Sequence, residues 1–204
     1  MKLTWYGHAC FLAETADGSI VFDPYSPGSV PGLTLPPLRA DAVHCSHGHG
    51  DHCYADGVTL SGKTPGFTLR TVSCFHDERG GALRGQNRIA IVESEGLRLV
   101  HLGDLGHRLS KEQLHEIGRP DVLLIPVGGH YTIDAATAAQ VVRDLNPALT
   151  IPMHYRGAGF GYDVIGTVDA FAAQFASVQR LDSSELDPAE ARAPVVILRC
   201  PVDF

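Results

Sequence analysis

The chain has 204 residues, of which 44% are hydrophobic and 19% are charged, and its formal net charge is −7 with the histidines neutral. These values predict a single folded domain, residues 1–204, with an ordinary globular core. The acidic balance and the absence of a Lys/Arg run disfavour a nucleic-acid-binding surface. No apolar stretch is long enough for a signal peptide or a membrane span, so we expect a cytoplasmic protein.

Strands and turns are predicted for the first part of the chain, where short apolar runs alternate with glycine, proline and aspartate. The predicted strands are Leu3–Tyr6, Phe11–Thr15, Ile20–Phe22, Ala42–Cys45 and Phe67–Val72. The first three are expected to form a meander, and the fourth is expected to be buried. Residues 24–37 are rich in proline and glycine, and we expect this loop to line a cleft.

Strands and helices alternate in the rest of the chain. A hairpin is predicted from Arg88–Glu93 and Leu97–Leu102, and further strands are predicted at Val122–Val127 and Val195–Leu198. Helices are predicted at Ser110–Gly118, Asp134–Leu145 and Thr167–Phe175. Ser110 and Gln113 have the spacing of a capping box at the start of the first helix. This order predicts a mixed α and β protein.

The most informative stretch is His47-Gly48-His49-Gly50-Asp51-His52, which carries four possible metal ligands in six residues. Imidazole and carboxylate groups suit a borderline cation such as zinc. The glycines disfavour a helix and let the backbone aim neighbouring imidazoles at one point. A histidine-rich surface loop is the alternative, but such a loop would lack this spacing and the strand that precedes it.

Three later residues are candidates to complete a metal site with this motif. They are His76, Asp104 and His154, and each follows a strand-like segment. Residues that follow strands can meet at one edge of a sheet, so the sequence predicts that these three side chains gather near the motif.

These features resemble the metallo-β-lactamase superfamily, specifically its HxHxDH hydrolases. The segments Trp5-Tyr6-Gly7-His8-Ala9-Cys10-Phe11, Val21-Phe22-Asp23-Pro24, Gly128-Gly129-His130-Tyr131-Thr132 and Pro152-Met153-His154-Tyr155 are similar to the branch that includes ascorbate-6-phosphate lactonase. The resemblance covers nearly the whole chain. It implies an α/β fold, an αββα sandwich of the metallo-β-lactamase type, and the activity of a metal-dependent hydrolase.

The resemblance also implies two metal ions. His47, His49 and His76 would hold one ion, Asp51, His52 and His154 would hold the other, and Asp104 would bridge them. We expect two Zn²⁺ ions, although Mn²⁺ or Fe²⁺ would accept the same ligands. Paired ions activate a shared water, so a metal-bound hydroxide would attack an ester-like bond, with Asp51 and Asp104 as the catalytic carboxylates. A lactone or carboxylic ester is the first substrate class, and a phosphodiester is the alternative.

His8, Asp23 and His130 are the candidates for contacting the substrate or supporting a ligand. His8 follows a glycine at a strand end, Asp23 could orient a ligand imidazole, and His130 lies in a Gly-Gly loop. The alternatives are a core histidine, a turn residue before proline and a solvated loop histidine, respectively. His107 is expected to have a role in its loop rather than to bind metal.

The five cysteines, Cys10, Cys45, Cys53, Cys74 and Cys200, cannot all pair within the chain, and no CxxC motif occurs. We therefore predict free thiols. Cys53 is adjacent to His52, but we expect it to be a small buried residue rather than a ligand.

Two other classes of function remain open. One is a di-iron redox protein, but such relatives carry a glutamate where His49 stands and possess an electron-transfer domain. The other is a non-catalytic metal-binding protein, which loss of ligands would indicate. We expect a small-molecule substrate, and the sequence is compatible with a homo-oligomer.

Overall fold

The computed structural model describes residues 1–201, which contain fourteen strands and three α-helices. The strands are β1 (Lys2–Trp5), β2 (Phe11–Thr15), β3 (Gly18–Phe22), β4 (Leu38–Ala40), β5 (Ala42–His44), β6 (Val58–Leu60), β7 (Thr68–Phe75), β8 (Gln86–Ser94), β9 (Leu97–His101), β10 (Val122–Pro126), β11 (Leu149–Met153), β12 (Val178–Arg180), β13 (Glu185–Leu186) and β14 (Val195–Ile197). The helices are α1 (Lys111–Ile117), α2 (Ala135–Leu145) and α3 (Asp169–Ala172).

The first sheet has the strand order β13-β1-β2-β3-β5. Its strands β1, β2 and β3 form the predicted antiparallel meander, and β5 lies parallel to β3. The prediction that β5 is buried was wrong in part, because Ala42 and Val43 are only half-buried. The reason is that β5 is an edge strand with a neighbour on one side only.

The second sheet has the strand order β12-β14-β11-β10-β9-β8-β7. The predicted hairpin is confirmed, with Ser94 of β8 opposite Leu97 of β9. Strands β9, β10 and β11 are parallel neighbours, and β10 and β11 are buried along their whole length. Helices α1 and α2 make the connections between them, as parallel strands require. A separate two-stranded sheet contains β4 and β6.

Side-chain hydrogen bonds to the backbone explain where two of the three helices, α1 and α2, begin. The Ser110 hydroxyl accepts the backbone N–H of Gln113, and the Gln113 side chain accepts the N–H of Ser110, so the predicted capping box is present. The Asp134 carboxylate accepts the N–H of Thr137 at the start of α2. Asn146, with a left-handed backbone, ends α2.

The third helix is shorter than predicted. The sequence favoured Thr167–Phe175, but regular α-helix covers only Asp169–Ala172. Val168 stands at the N-cap and has no side-chain oxygen to accept a backbone N–H. After Ala172 the backbone bonds shorten to the i→i−3 type, from the N–H of Gln174 and of Phe175, so the helix tightens and ends.

Apolar side chains of both sheets pack into one core, with Trp5, Phe11 and Phe22 from the first sheet and Ile89 and Leu99 from the second all fully buried. Helix α2 packs against both α1 and α3. These layers are consistent with the αββα sandwich that the resemblance implies. Within residues 1–201, no helix is long and apolar enough to cross a membrane.

Candidate metal centre

The candidate ligands lie at the carboxyl ends of parallel strands. In the first sheet, β1, β3 and β5 run in the same direction, and they are followed by His8, Asp23 and the ligand loop, which we define as residues 46–53. In the second sheet, His76, Asp104 and His154 follow β7, β9 and β11, which also share one direction. The topology therefore brings these side chains to one edge of the sandwich, as the sequence predicted.

The side chains form three overlapping groups whose donor atoms lie within 4.8 Å of one another. The groups are His47, His49 and His76; His8, Asp51, His52 and His154; and His47, His52 and Asp104. All seven residues of the predicted ligand set are thus brought together. His8 joins them, although the sequence analysis expected it only to contact the substrate or support a ligand.

Asp104 lies between the groups. Its Oδ2 atom is 3.1 Å from His76 Nε2, 3.2 Å from His52 Nε2 and 3.4 Å from His154 Nε2. His47 Nε2 is 4.0 Å away. Imidazoles expected to hold the first ion (His47 and His76) and the second ion (His52 and His154) therefore surround one carboxylate. This is the arrangement that a bridging ligand needs.

Unpaired polar atoms show that the residues fit a bound cation. Within the described residues, Nε2 of His47, Nε2 of His52, both ring nitrogens of His154 and Oδ1 of Asp104 are buried without a hydrogen-bond partner. A buried donor or acceptor left unpaired costs about 1–3 kcal/mol. Convergence of such atoms on the same space is explained by a metal ion, since zinc sites are built from these nitrogen and oxygen donors.

Asp23 orients two of the candidate ligands. Its Oδ2 lies 2.8 Å from His52 Nδ1 and accepts the Ser46 hydroxyl at 2.6 Å, and its Oδ1 accepts the Ser46 N–H at 2.7 Å. The Ser46 hydroxyl is in turn 3.0 Å from His47 Nδ1. A carboxylate on Nδ1 leaves Nε2 of His52 free to bind a cation. The structure thus places Asp23 in contact with a candidate ligand imidazole, where the sequence analysis expected it.

Charges in the cluster are strongly coupled. Burial opposes ionisation of Asp104, but the neighbouring imidazoles of His154 and His52 hold the pKa of its carboxyl well below the ordinary value. Burial likewise opposes protonation of His52, yet Asp104 and Asp23 raise the pKa of this imidazole. For His47, burial and the neighbouring His52 outweigh Asp104 and Asp23, and they lower the pKa of its imidazole to about 4. The centre thus combines ionised carboxylates with imidazoles, and this combination favours binding of a cation.

Asn87 positions Asp104 and was missed from the sequence. Its side-chain oxygen accepts the N–H of Asp104 at 2.9 Å, and its amide donates to the Leu102 carbonyl at 2.9 Å. Gly103 between them has φ +54°, and a Cβ there would lie 2.5 Å from the Asn87 oxygen. The sequence offered no signal for Asn87, because it lies 17 residues from Asp104 on another strand.

Tyr162 and Tyr131 line the rim of the centre. The Tyr162 hydroxyl is 3.3 Å from Asp51 Oδ2 and donates to the Ser29 carbonyl, so the loop at residues 24–37 does reach the site. The ring of Tyr131 is 5.6 Å from that of Tyr162. His130 is exposed, packs on Tyr131 at 4.6 Å and does not belong to the clustered groups of possible ligands.

Other histidines stay outside the cluster. His107 Nε2 accepts the N–H of Phe75, so its role in the loop is supported. His101 is buried, and both of its ring nitrogens are hydrogen-bonded, one to the Ala9 carbonyl and the other to the Gly103 N–H.

A groove of about 970 Å³ lined by Lys2, Gln179 and neighbouring residues contains none of the clustered side chains. The chemistry therefore lies with the cluster rather than with this groove.

The prediction of free thiols was wrong for two cysteines. Cys45 and Cys53 form a disulfide across the ligand loop, whereas Cys10, Cys74 and Cys200 are free and buried. Cys53 is also exposed rather than buried. The two residues meet because the ligand loop turns back on itself, with the His49 carbonyl accepting the N–H groups of His52 and Cys53.

Comparison with known proteins agrees with this geometry. Residues 2–154 match the family described as Beta-lactamase superfamily domain. A relative from Archaeoglobus fulgidus, named UPF0173 metal-dependent hydrolase, is 32% identical, with 76% of this chain and 83% of the relative covered. A Thermoplasma acidophilum relative of the same description is 29% identical with the same coverage. A solved structure from Thermotoga maritima, described as a candidate Zn-dependent hydrolase of the metallo-β-lactamase superfamily, shares 35% identity and a TM-score of 0.78 over 97% of both chains.

Proposed function

The chain belongs to the β-lactamase superfamily domain family and is a metal-dependent hydrolase, and from this premise we propose that it uses two divalent ions to hydrolyse an ester-like bond. Zinc is the proposed metal, with Mn²⁺ or Fe²⁺ as alternatives. A small lactone or carboxylic ester is the proposed substrate. The proposed ligands are His47, His49 and His76 for the first ion and Asp51, His52 and His154 for the second, with Asp104 as the bridge.

The observation that carries this proposal is the convergence of two groups of donors on one shared carboxylate. His76 and His52, which belong to different groups, both approach Asp104 Oδ2 within 3.2 Å. A site for a single ion would not require a second set of donor atoms on the other side of Asp104. Two like charges held close together repel each other, and an anionic Asp104 between them offsets that repulsion.

Bound here, the two ions would supply Lewis acidity and lower the pKa of a shared water toward about 7, so that it can act as a nucleophile. The chain's own residues have separate tasks. Asp23 and Ser46 hold the imidazoles of His52 and His47 in the orientation that binding requires. Burial opposes ionisation of the half-buried Asp51, but His8 and His52 lower the pKa of its carboxyl, so it stays a carboxylate that can orient the nucleophile by accepting a hydrogen bond.

A phosphodiester is the second candidate substrate. The guanidinium of Arg84 lies 5.6 Å over the ring of Tyr131 at the rim of the centre. A cation in that position favours a substrate that carries a negative charge. The lactone or ester remains first because the segments around His8, Asp23, His130 and His154 resemble the lactonase branch.

The test is a substrate panel under conditions that exclude redox turnover. Purified zinc-loaded protein is assayed with lactones, carboxylic esters and phosphodiesters, without a reductant and under argon. We expect hydrolysis that a chelator abolishes and added Zn²⁺ restores, with the highest kcat/KM on a lactone or ester. No hydrolysis under these conditions, with turnover that appears only when a reductant and oxygen are added, would contradict the proposal and favour a di-iron redox protein.

The matched variants for this assay are Asp104→Asn and Asp41→Asn. Asp41 is also a carboxylate that accepts several hydrogen bonds, from Ser19 and Ser61, but it lies outside the cluster. We expect Asp104→Asn to lose nearly all activity and Asp41→Asn to keep it. Equal activity in both variants would show that Asp104 is not part of the site.

A further inference from the structure

His8 is buried in the centre with nothing to satisfy its ring nitrogens. The residue is 1% exposed, and within the described residues neither Nδ1 nor Nε2 has a hydrogen-bond partner. Buried imidazoles in folded proteins are almost always hydrogen-bonded, and His101 in this protein is an example. An unpaired buried imidazole therefore needs another explanation.

The ring of His8 faces the residues proposed to hold the second ion. Its Nε2 atom is 3.4 Å from Asp51 Oδ2, and its ring centroid is 4.0 Å from that of His154 and 5.0 Å from that of His52. One ligand atom of each of these four residues lies within 4.8 Å of the others. Donors about 2.1 Å from one ion are about 3 to 4.2 Å apart, and the 3.4 Å between His8 Nε2 and Asp51 Oδ2 falls in this range.

The backbone is arranged to hold His8 in this direction. His8 and His154 both have left-handed backbones, with φ +50° and +52°, which side chains other than glycine rarely adopt. The His8 carbonyl accepts the indole N–H of Trp5 at 3.0 Å and the backbone N–H of His154 at 3.1 Å. These bonds tie the two strained residues together and bring their rings into contact. Strained backbone of this kind concentrates at functional sites.

We propose that His8 is a further ligand of the second ion, through Nε2, in addition to Asp51, His52, His154 and the bridging Asp104. The inference rests on the proposed function, because it assumes the two-ion centre. A contact with the substrate is disfavoured because the His8 side chain is fully buried beside Asp51. A role as hydrogen-bond donor to Asp51 is disfavoured because 3.4 Å is long for such a bond and Nε2 remains unpaired.

One consequence is that the two ions differ in their surroundings. The second ion would have four ligands of its own, of which His8, His52 and His154 are buried and Asp51 is half-buried. The first would have three, of which His49 is exposed. The open side of the centre, and the position for the substrate oxygen, would then belong to the first ion.

The experiment titrates metal-free protein with Co²⁺ and follows the visible absorption of the bound ion. For the wild type we expect two binding steps. His8→Ala should weaken one step by about 10-fold or more and change its absorption spectrum, while the other step stays the same. The substitution breaks no hydrogen bond of the ring, and the cavity that it leaves should lower the melting temperature of the metal-free protein no more than the same truncation at His44 does.

His44→Ala is the matched control. His44 is likewise a buried histidine with an unpaired Nε2, but it does not belong to the metal-ligating groups. We expect this variant to bind Co²⁺ in the same two steps as the wild type. The comparison separates loss of a ligand from loss of any buried imidazole.

Several outcomes would overturn the assignment of His8. Two unchanged steps in His8→Ala would leave the two-ion centre standing and remove His8 from it. Weakening of both steps together with a melting temperature of the metal-free variant well below that of His44→Ala would make His8 a structural residue. A wild type that takes up no Co²⁺ would refute the proposed function itself.

A second measurement uses the wild type only and does not depend on the variant folding. In the Co²⁺-loaded protein, protons on ligand imidazoles give strongly shifted NMR signals. Ligation by His8 predicts six histidines with such shifts, namely His8, His47, His49, His52, His76 and His154. Shifts confined to the other five would contradict the proposal.

Discussion

Replacing Asp23 by asparagine removes the support of two ligands and leaves the metal-binding atoms in place. The carboxylate accepts three hydrogen bonds, two from Ser46 and one shared with His52. An asparagine keeps one acceptor oxygen for the Ser46 N–H. Its amide nitrogen cannot accept from the Ser46 hydroxyl or from His52 Nδ1, so two of the three bonds are lost.

The expected loss of metal affinity in Asp23→Asn depends on how much those two hydrogen bonds differ between the metal-free and metal-bound protein. A hydrogen bond to a charged group contributes about 1.5–3 kcal/mol, but only the part that differs between metal-free and metal-bound protein affects affinity. Loss of a partner that orients a ligand typically costs 10–100-fold in metal affinity, which is about 1.4–2.7 kcal/mol. For Asp23→Asn we expect the upper part of this range, because His52 loses its partner directly and His47 loses it through Ser46.

The assay is competition for Zn²⁺ between metal-free protein and a chromophoric chelator at pH 7.5. Ser46→Ala should have a smaller effect than Asp23→Asn, since His52 keeps its bond to the carboxylate. Asp41→Asn is the control and should bind zinc as the wild type does. A dissociation constant for Asp23→Asn within twofold of the wild type would refute the idea that this carboxylate orients the ligands.

Three further predictions address the bridge, the helix cap and the nucleophile. His154→Ala should weaken one ion and Asp104→Asn should weaken both, as measured by calorimetric titration with Zn²⁺; equal effects would contradict the shared role of Asp104. Asp134→Ala should cost about 0.5–2 kcal/mol in the free energy of unfolding through loss of the N-cap. Hydrogen bonds from Thr137 lower the pKa of Asp134, so this difference should be full above about pH 4 and vanish as the pH falls further; a constant difference in acid melts would oppose this. Activity should rise with pH along a limb that moves when Mn²⁺ replaces Zn²⁺, and a limb that stays in place would argue against a metal-activated water.

The clustering of the candidate ligands was predictable from the sequence because each of them follows a strand. His76, Asp104 and His154 are far apart in the chain, yet parallel strands deliver the residues after them to the same edge. The ligand loop was recognisable because its four donors are adjacent in sequence. The capping box of Ser110 was predictable for the same reason, as it depends on a spacing of three residues.

Features that depend on distant contacts were not predictable. Strand β13 has only two residues and exists because it pairs with β1, at the other end of the chain. Tyr162 meets Asp51 across 111 positions. The disulfide of Cys45 and Cys53 depends on the turn of the ligand loop, and cysteine spacing alone does not reveal that turn. The role of His8 depends on its burial and unpaired nitrogens, which no local pattern indicates.

Metal content tests the central claim most directly. Protein made in metal-replete medium and freed of loosely bound ions is analysed by elemental mass spectrometry against protein concentration from amino-acid analysis. The two proposed sets of ligands on either side of Asp104 predict about two transition-metal equivalents per chain. A reproducible value near zero would contradict the account, and a value near one would contradict the two-ion centre.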